Sequence, residues 1–255
     1  MPRLDRPGTF ISYDVTGDGP PLLLTHGFAA TAGMFAGNLP ALASGNRVVT
    51  WDVRGHGASG QPDDQACYTV RATTDDMAAI LDHLAIPRAV IGGHSLGGYL
   101  SLAFALAHPD RVTALILIDT GPGFRNEASR AGWNRIAEQY ASNLQERGLA
   151  ALGDSPELHG DAHRSATGLA HAARGILAQR DSSVLDALPA IAVPTLIVVG
   201  ADDTRYLAGA DYMARKIPGA RLVIIADAGH APNISQPGQF DAHLRSFLDE
   251  LAGQS

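Results

Sequence analysis

The pentapeptide Gly93-His94-Ser95-Leu96-Gly97 constrains the fold more than any other stretch of this chain. It follows a short apolar run, Ala89-Val90-Ile91, and opens a helix-like stretch from Leu96 to Ala107. A strand that turns straight into a helix around a serine holds that serine in a strained backbone conformation. Small residues two positions before and two after let strand and helix approach closely. The hydroxyl is pushed out of the turn, beside the positive end of a helix dipole. The G-x-S-x-G string also occurs in plain glycine-rich turns. Its meaning here comes from the strand before it and the helix after it.

The rest of the chain keeps the same rhythm. Apolar runs at Leu22–Thr25, Arg47–Trp51, Val112–Ile118, Pro194–Val199 and Arg221–Ile225 read as strands, with an alternating run at Thr9–Val15 before them. Between them, Met34–Leu42, Val70–Leu84, Tyr206–Ile217 and Gln236–Leu251 have helical spacing. Strands alternating with helices predict an α/β protein with a doubly wound, mostly parallel sheet. From Gly121 to about Leu188 the strand signal disappears. Trp133, Ile136, Tyr140 and Leu144 recur as on one helix face, and Leu169, Ala172, Ala173, Ile176 and Leu177 suggest a second helix. The expected organisation is a core made of residues 1–120 and 189–255, with a small helical cap over 121–188. An insertion after a strand's carboxyl end sits where open α/β sheets bind ligands.

Composition narrows the function. A net charge of −7, with acidic and basic residues interspersed, argues against nucleic acid and against an anionic membrane surface. Cys67 is the single cysteine, so no intramolecular disulfide forms. The amino-terminal residues lack the apolar core of a secretory signal, and no apolar run reaches the ~18 residues that span a bilayer. A soluble, cytoplasmic protein is expected. His159, Asp161, His163 and His171 cluster in the insertion but lack an H-E-x-x-H pattern, so no metal is expected. The glycines around Ser95 lack the spacing of a phosphate cradle, and no cofactor is expected. Oligomeric state is not legible.

A serine hydroxyl needs a base to become a nucleophile, and the base needs an orienting group. Among ten histidines, His230 stands out. It follows the strand Arg221–Ile225, in the loop Asp227-Ala228-Gly229-His230-Ala231-Pro232, on the same sheet edge as Ser95. His26 also ends a strand, His94 adjoins the serine but should point away from it, and His56 sits in a glycine-rich loop. For the orienting acid, Asp202 and Asp203 end one strand and Asp119 ends another. A strand-end aspartate is also a common turn former. The developing oxyanion needs N–H donors. Leu96, at the helix start, and Phe28, in the loop His26-Gly27-Phe28-Ala29, can supply them.

These motifs together resemble the α/β-hydrolase fold family. They are His26-Gly27-Phe28, Asp52-Val53-Arg54-Gly55-His56-Gly57, the Ser95 pentapeptide, Gly200-Ala201-Asp202-Asp203 and Gly229-His230-Ala231-Pro232, in family order between about Thr9 and Leu251. The resemblance implies a catalytic triad of Ser95, Asp203 and His230, preferring Asp203 over Asp202. It also implies a cap at Gly121–Leu188. One departure is Gln236, where many relatives carry glutamate. Serine at the elbow argues against relatives that use aspartate there, and Ala231 after the histidine argues against carbon–carbon bond hydrolases. The implied activity is hydrolysis of a small ester or lactone, with Trp133, Ile136 and Tyr140 as candidate substrate contacts. A thioester or carbon–carbon bond hydrolase, or a ligand receptor on the same scaffold, are the rival readings.

Overall fold

The computed structural model describes residues 1–253 except 154, 156 and 159. Eight strands form one sheet: β1 (Arg3–Arg6), β2 (Thr9–Thr16), β3 (Pro21–Thr25), β4 (Arg47–Trp51), β5 (Ala89–His94), β6 (Val112–Ile118), β7 (Thr195–Gly200) and β8 (Arg221–Ile225). Their spatial order is β1-β2-β4-β3-β5-β6-β7-β8. Strands β3 to β8 pair in parallel, and β1 and β2 add an antiparallel edge. The helices are α1 (Leu39–Leu42), α2 (Val70–His83), α3 (Leu96–Ala107), α4 (Glu127–Arg147), α5 (Ala166–Ala172), α6 (Ser183–Ala187), α7 (Thr204–Lys216), α8 (Pro232–Ser235) and α9 (Pro237–Ala252). This is a doubly wound α/β architecture.

Strand residues alternate between two buried layers, as a sheet covered on both faces requires. Leu23, Ile91, Leu115, Leu117 and Ile197 face one layer with Met77, Leu100 and Phe104. Leu24, Val90, Ile116, Ile118 and Val198 face the other with Phe35, Phe240 and Phe247. Helix α2 starts where Thr69 accepts a hydrogen bond from the Ala72 N–H.

Two expectations change. Met34–Leu42 is not one helix but a 3₁₀ turn, Ala32–Phe35, followed by α1. Pro40 lacks an N–H and can sit only near a helix start, so the second helix begins afresh there. Strand β1 was not expected. Its sequence, Arg-Leu-Asp-Arg, is charged because it is a sheet edge, and charge there blocks pairing with other chains.

Between β6 and β7 lie helices α4, α5 and α6 and a π-helical turn at Ala173–Leu177. Ala137, Ala141 and Leu144 make the buried face of α4. Ile136 is 39% exposed and Tyr140 44% exposed. The expected stripe is rotated: at ~100° per residue, Ile136 points well away from Ala137. Among the described residues, no helix is long and apolar enough to cross a membrane.

Candidate active site

Ser95 sits between β5 and α3 with φ 51° and ψ −113°. For a non-glycine residue that backbone costs on the order of 1–3 kcal/mol, so its surroundings must hold it. The Ser95 N–H donates to the Ile118 carbonyl at 2.8 Å, and the Thr120 hydroxyl donates to the Ser95 carbonyl at 2.6 Å. The neighbouring glycines are sterically required. A Cβ on Gly97 would lie 2.0 Å from the Thr25 oxygen, and one on Gly93 would lie 2.3 Å from the Gly97 carbonyl carbon.

The Ser95 Oγ lies 3.0 Å from Nε2 of His230, and His230 Nδ1 lies 2.7 Å from Oδ2 of Asp203. His230 comes from the loop after β8. Gly200 lets that loop cross the end of β7, since a Cβ there would sit 2.2 Å from the Gly229 oxygen. Asp203 is buried, whereas Asp202 is exposed and its backbone N–H bonds the Ala228 carbonyl. With Nδ1–H donating to Asp203, the bare Nε2 can accept the serine proton. That arrangement can activate a hydroxyl.

Leu96 begins α3, where helix geometry supplies no acceptor for its N–H. Phe28 lies in a tight turn closed by the Ala30 N–H on the Gly27 carbonyl, with Ala29 at φ 58°. The Phe28 ring packs against His56 and Tyr140. Beneath this loop, His26 donates from Nδ1 to the Gly27 carbonyl and accepts the Val53 N–H at Nε2. Asp52 accepts the Ala32 and Ala58 N–H groups. His26 and Asp52 thus brace the loop and do not face Ser95.

His94 is not idle. Its Nε2 hydrogen-bonds the His230 carbonyl, and its Nδ1 faces Gly27, where any Cβ would lie 2.7 Å away. Tyr206 stacks on the His230 ring at 4.8 Å, and burial raises its hydroxyl above the usual tyrosine range. Neither role was legible in the sequence. The stacking could have been suspected only from Tyr206 lying three residues past Asp203.

Two cavities meet at Ser95. One, of about 300 Å³, is bounded by Gly27, Phe28, Tyr140, Leu152, Tyr206 and His230. The other, of about 250 Å³, is bounded by Leu96, Thr120, Pro122, Phe124, Gln179 and Gly209. Trp133 lines both, and its indole N–H is fixed on the Leu177 carbonyl. Tyr140 lines the first; Ile136 lines neither. A larger groove of about 840 Å³ between α2, α3 and the insertion contains none of Ser95, Asp203 or His230.

His159 lies outside the described residues. His163 hydrogen-bonds the Ala29 carbonyl through Nε2 and accepts the Gly57 N–H at Nδ1, tying this segment to the Phe28 loop. Among the described residues, Asp119, Asp203 and His230 are the one group spaced closely enough to hold a metal ion. Both His230 nitrogens are already engaged by Ser95 and Asp203.

Burial keeps three histidines neutral. It lowers His26 to about 4 and His94 to about 3, and holds His56 well below its ordinary value. Below pH ~6.5 the unfolded chain takes up protons that these buried rings refuse. Stability is therefore full above pH 6.5 and drains as pH falls towards the folded values. Between pH 6.5 and 5 the loss is roughly 2 kcal/mol each for His26 and His94, with His56 acting in the same direction. The melting temperature should drop steeply from pH 7.5 to 5; a flat profile contradicts this.

The sequence profile of the alpha/beta hydrolase fold family matches residues 20–164. The pimeloyl-[acyl-carrier protein] methyl ester esterase of Aeromonas hydrophila is 33% identical, over 93% of this chain and 99% of that protein. The 3-oxoadipate enol-lactonase 1 of Acinetobacter baylyi is 29% identical, over 97% of this chain and 96% of that protein. A solved thermophilic esterase from Thermogutta terrifontis superposes with a TM-score of 0.82 at 30% identity, covering 98% of this chain and 99% of its own.

Proposed function

Because this chain belongs to the alpha/beta hydrolase fold family, we propose that it hydrolyses a small carboxylic ester or lactone through an acyl-enzyme on Ser95. The observation that carries this reading is the unbroken chain of contacts from Ser95 through His230 to Asp203, at 3.0 and 2.7 Å. Relatives named as an esterase and as an enol-lactonase support the substrate class.

In this reading the Ser95 oxygen attacks the carbonyl carbon as its proton passes to His230 Nε2. Asp203 stabilises the imidazolium and keeps its orientation. The N–H groups of Phe28 and Leu96 receive the oxyanion. His230 then protonates the departing alkoxide, and water, activated by the same imidazole, frees the acid. Proton delivery puts the leaving group in the cavity that His230 lines. The acyl part then occupies the cavity walled by Leu96, Pro122 and Phe124. For a lactone the two halves remain joined, and the opened product spans both. The insertion over 121–188 acts as a lid, with Trp133 and Tyr140 as substrate contacts.

A panel of p-nitrophenyl esters and lactones of graded acyl length tests the proposal. Turnover should peak at short acyl groups, since an apolar cavity of about 250 Å³ falls at the small end for ligand sites. Tight ligand binding with negligible turnover across the panel would instead support a receptor.

A further inference from the structure

Asp119 is fully buried at the end of β6, with φ 43°. That left-handed conformation is uncommon outside glycine, though aspartate tolerates it better than most residues. Its Oδ1 accepts the Gly200 N–H at 2.9 Å. No donor reaches its buried Oδ2. An orphaned carboxylate oxygen in the interior is costly, because a charge without partners loses its hydration. The same carboxyl offers an oxygen within 4.8 Å of both an Asp203 oxygen and a His230 nitrogen. Two carboxyl groups so placed, away from water, resist ionising together. Asp203 faces the histidine and is the one whose charge is neutralised by a partner.

We propose that Asp119 stays protonated and donates its Oδ2–H to the Asp203 carboxylate, serving as a positioning residue for the acid that orients His230. This rests on the hydrolase reading above. The proton gives Oδ2 its missing partner and leaves one negative charge, shared across two carboxyls, facing the imidazole. It also restrains the Asp203 side chain beside His230. Burial is the main influence raising Asp119, to about 9, with a hydrogen bond to Asp203 and its charge adding to the effect; the Gly200 N–H opposes it. Asp203 is the charged group acting on Asp119. His230 on the loop after β8, His94 at the end of β5 and Tyr206 on α7 are the titratable groups around the pair.

Asparagine is the neutral isostere of a protonated aspartate: its oxygen can accept from Gly200 and its amide can donate to Asp203. Asp119→Asn should keep kcat within about fivefold of the wild type, whereas Asp119→Leu, which removes the donor, should lose about 10- to 100-fold in kcat with KM little changed. The pH profile gives the second readout. Wild-type kcat should fall on an alkaline limb near pH 9 as Asp119 ionises. That limb should vanish in Asp119→Asn, whatever happens to the folding of Asp119→Leu. An unchanged limb, or a loss of about a thousandfold or more in Asp119→Asn, overturns the proposal; the latter would make Asp119 itself the ionised acid. A Ser95→Ala enzyme that still turns over ester would sink the hydrolase reading first. An inactive Ser95→Ala beside fully active Asp119 variants would sink this inference alone.

Discussion

Replacing Ser95 with alanine should lower ester turnover by on the order of a millionfold, leaving only the slow background of binding and the oxyanion donors. The substitution removes one oxygen and its contacts with His230 and the Tyr206 hydroxyl. The backbone bonds that hold residue 95, to Ile118 and Thr120, do not involve its side chain. The variant should therefore melt close to the wild-type temperature, and lost activity then reports chemistry rather than folding. A serine-directed organophosphonate should add one adduct to the wild type, at Ser95, and none to the variant. Ser59 lies in a superficially similar Gly57-Ala58-Ser59-Gly60 stretch and is the internal control. It is 1% exposed, its hydroxyl donates to the Asp52 carbonyl, and it accepts the Ser12 N–H. An adduct there, or substantial turnover by Ser95→Ala, would place the nucleophile elsewhere.

Asp203→Asn should cost about 10⁴ in kcat, while Asp202→Asn should stay within about twofold. The two residues are adjacent, yet only Asp203 is buried against His230, and Asp202 turns to solvent. Asparagine at 203 can still meet the imidazole, but offering its amide to Nδ1 favours the tautomer with hydrogen on Nε2, which cannot accept the serine proton. The loss should therefore appear in kcat far more than in KM. Equal losses at both positions would mean that the acidic loop acts through fold stability. The opposite ranking would move the orienting role to Asp202.

The elbow was readable because every constraint on it is local. A strand, a serine flanked by glycines and a helix start lie within about twenty residues, and steric crowding demands glycine where it occurs. His230 could be singled out among the histidines for a similar reason, since a glycine before it and a proline after it follow a strand. The choice among Asp119, Asp202 and Asp203 was not readable from the residues alone. All three end strands, and only resemblance preferred Asp203. Strand pairing separates their surroundings: Ile118 pairs with Val198 and Gly200 with Ile225. That register puts Asp119 under the Gly200 N–H and lets Asp203 reach the loop that carries His230. The insertion showed the converse. Its helical character was evident, but the buried side of α4 was set by contacts with distant helices, and Ile136 fell outside it.

Local patterning therefore determined by itself that the chain alternates strand and helix, where it bends sharply, and which side chains stand at the strand ends. Those features arise from backbone sterics and from the periodicity of apolar residues, both confined to short windows. Tertiary structure alone decided that Ser95 and His230, 135 residues apart, come within hydrogen-bond distance. It also decided that His94 braces the histidine loop and that Asp119 abuts Asp203. Such meetings depend on how separate strands align side by side, and that alignment is settled by packing across the whole sheet.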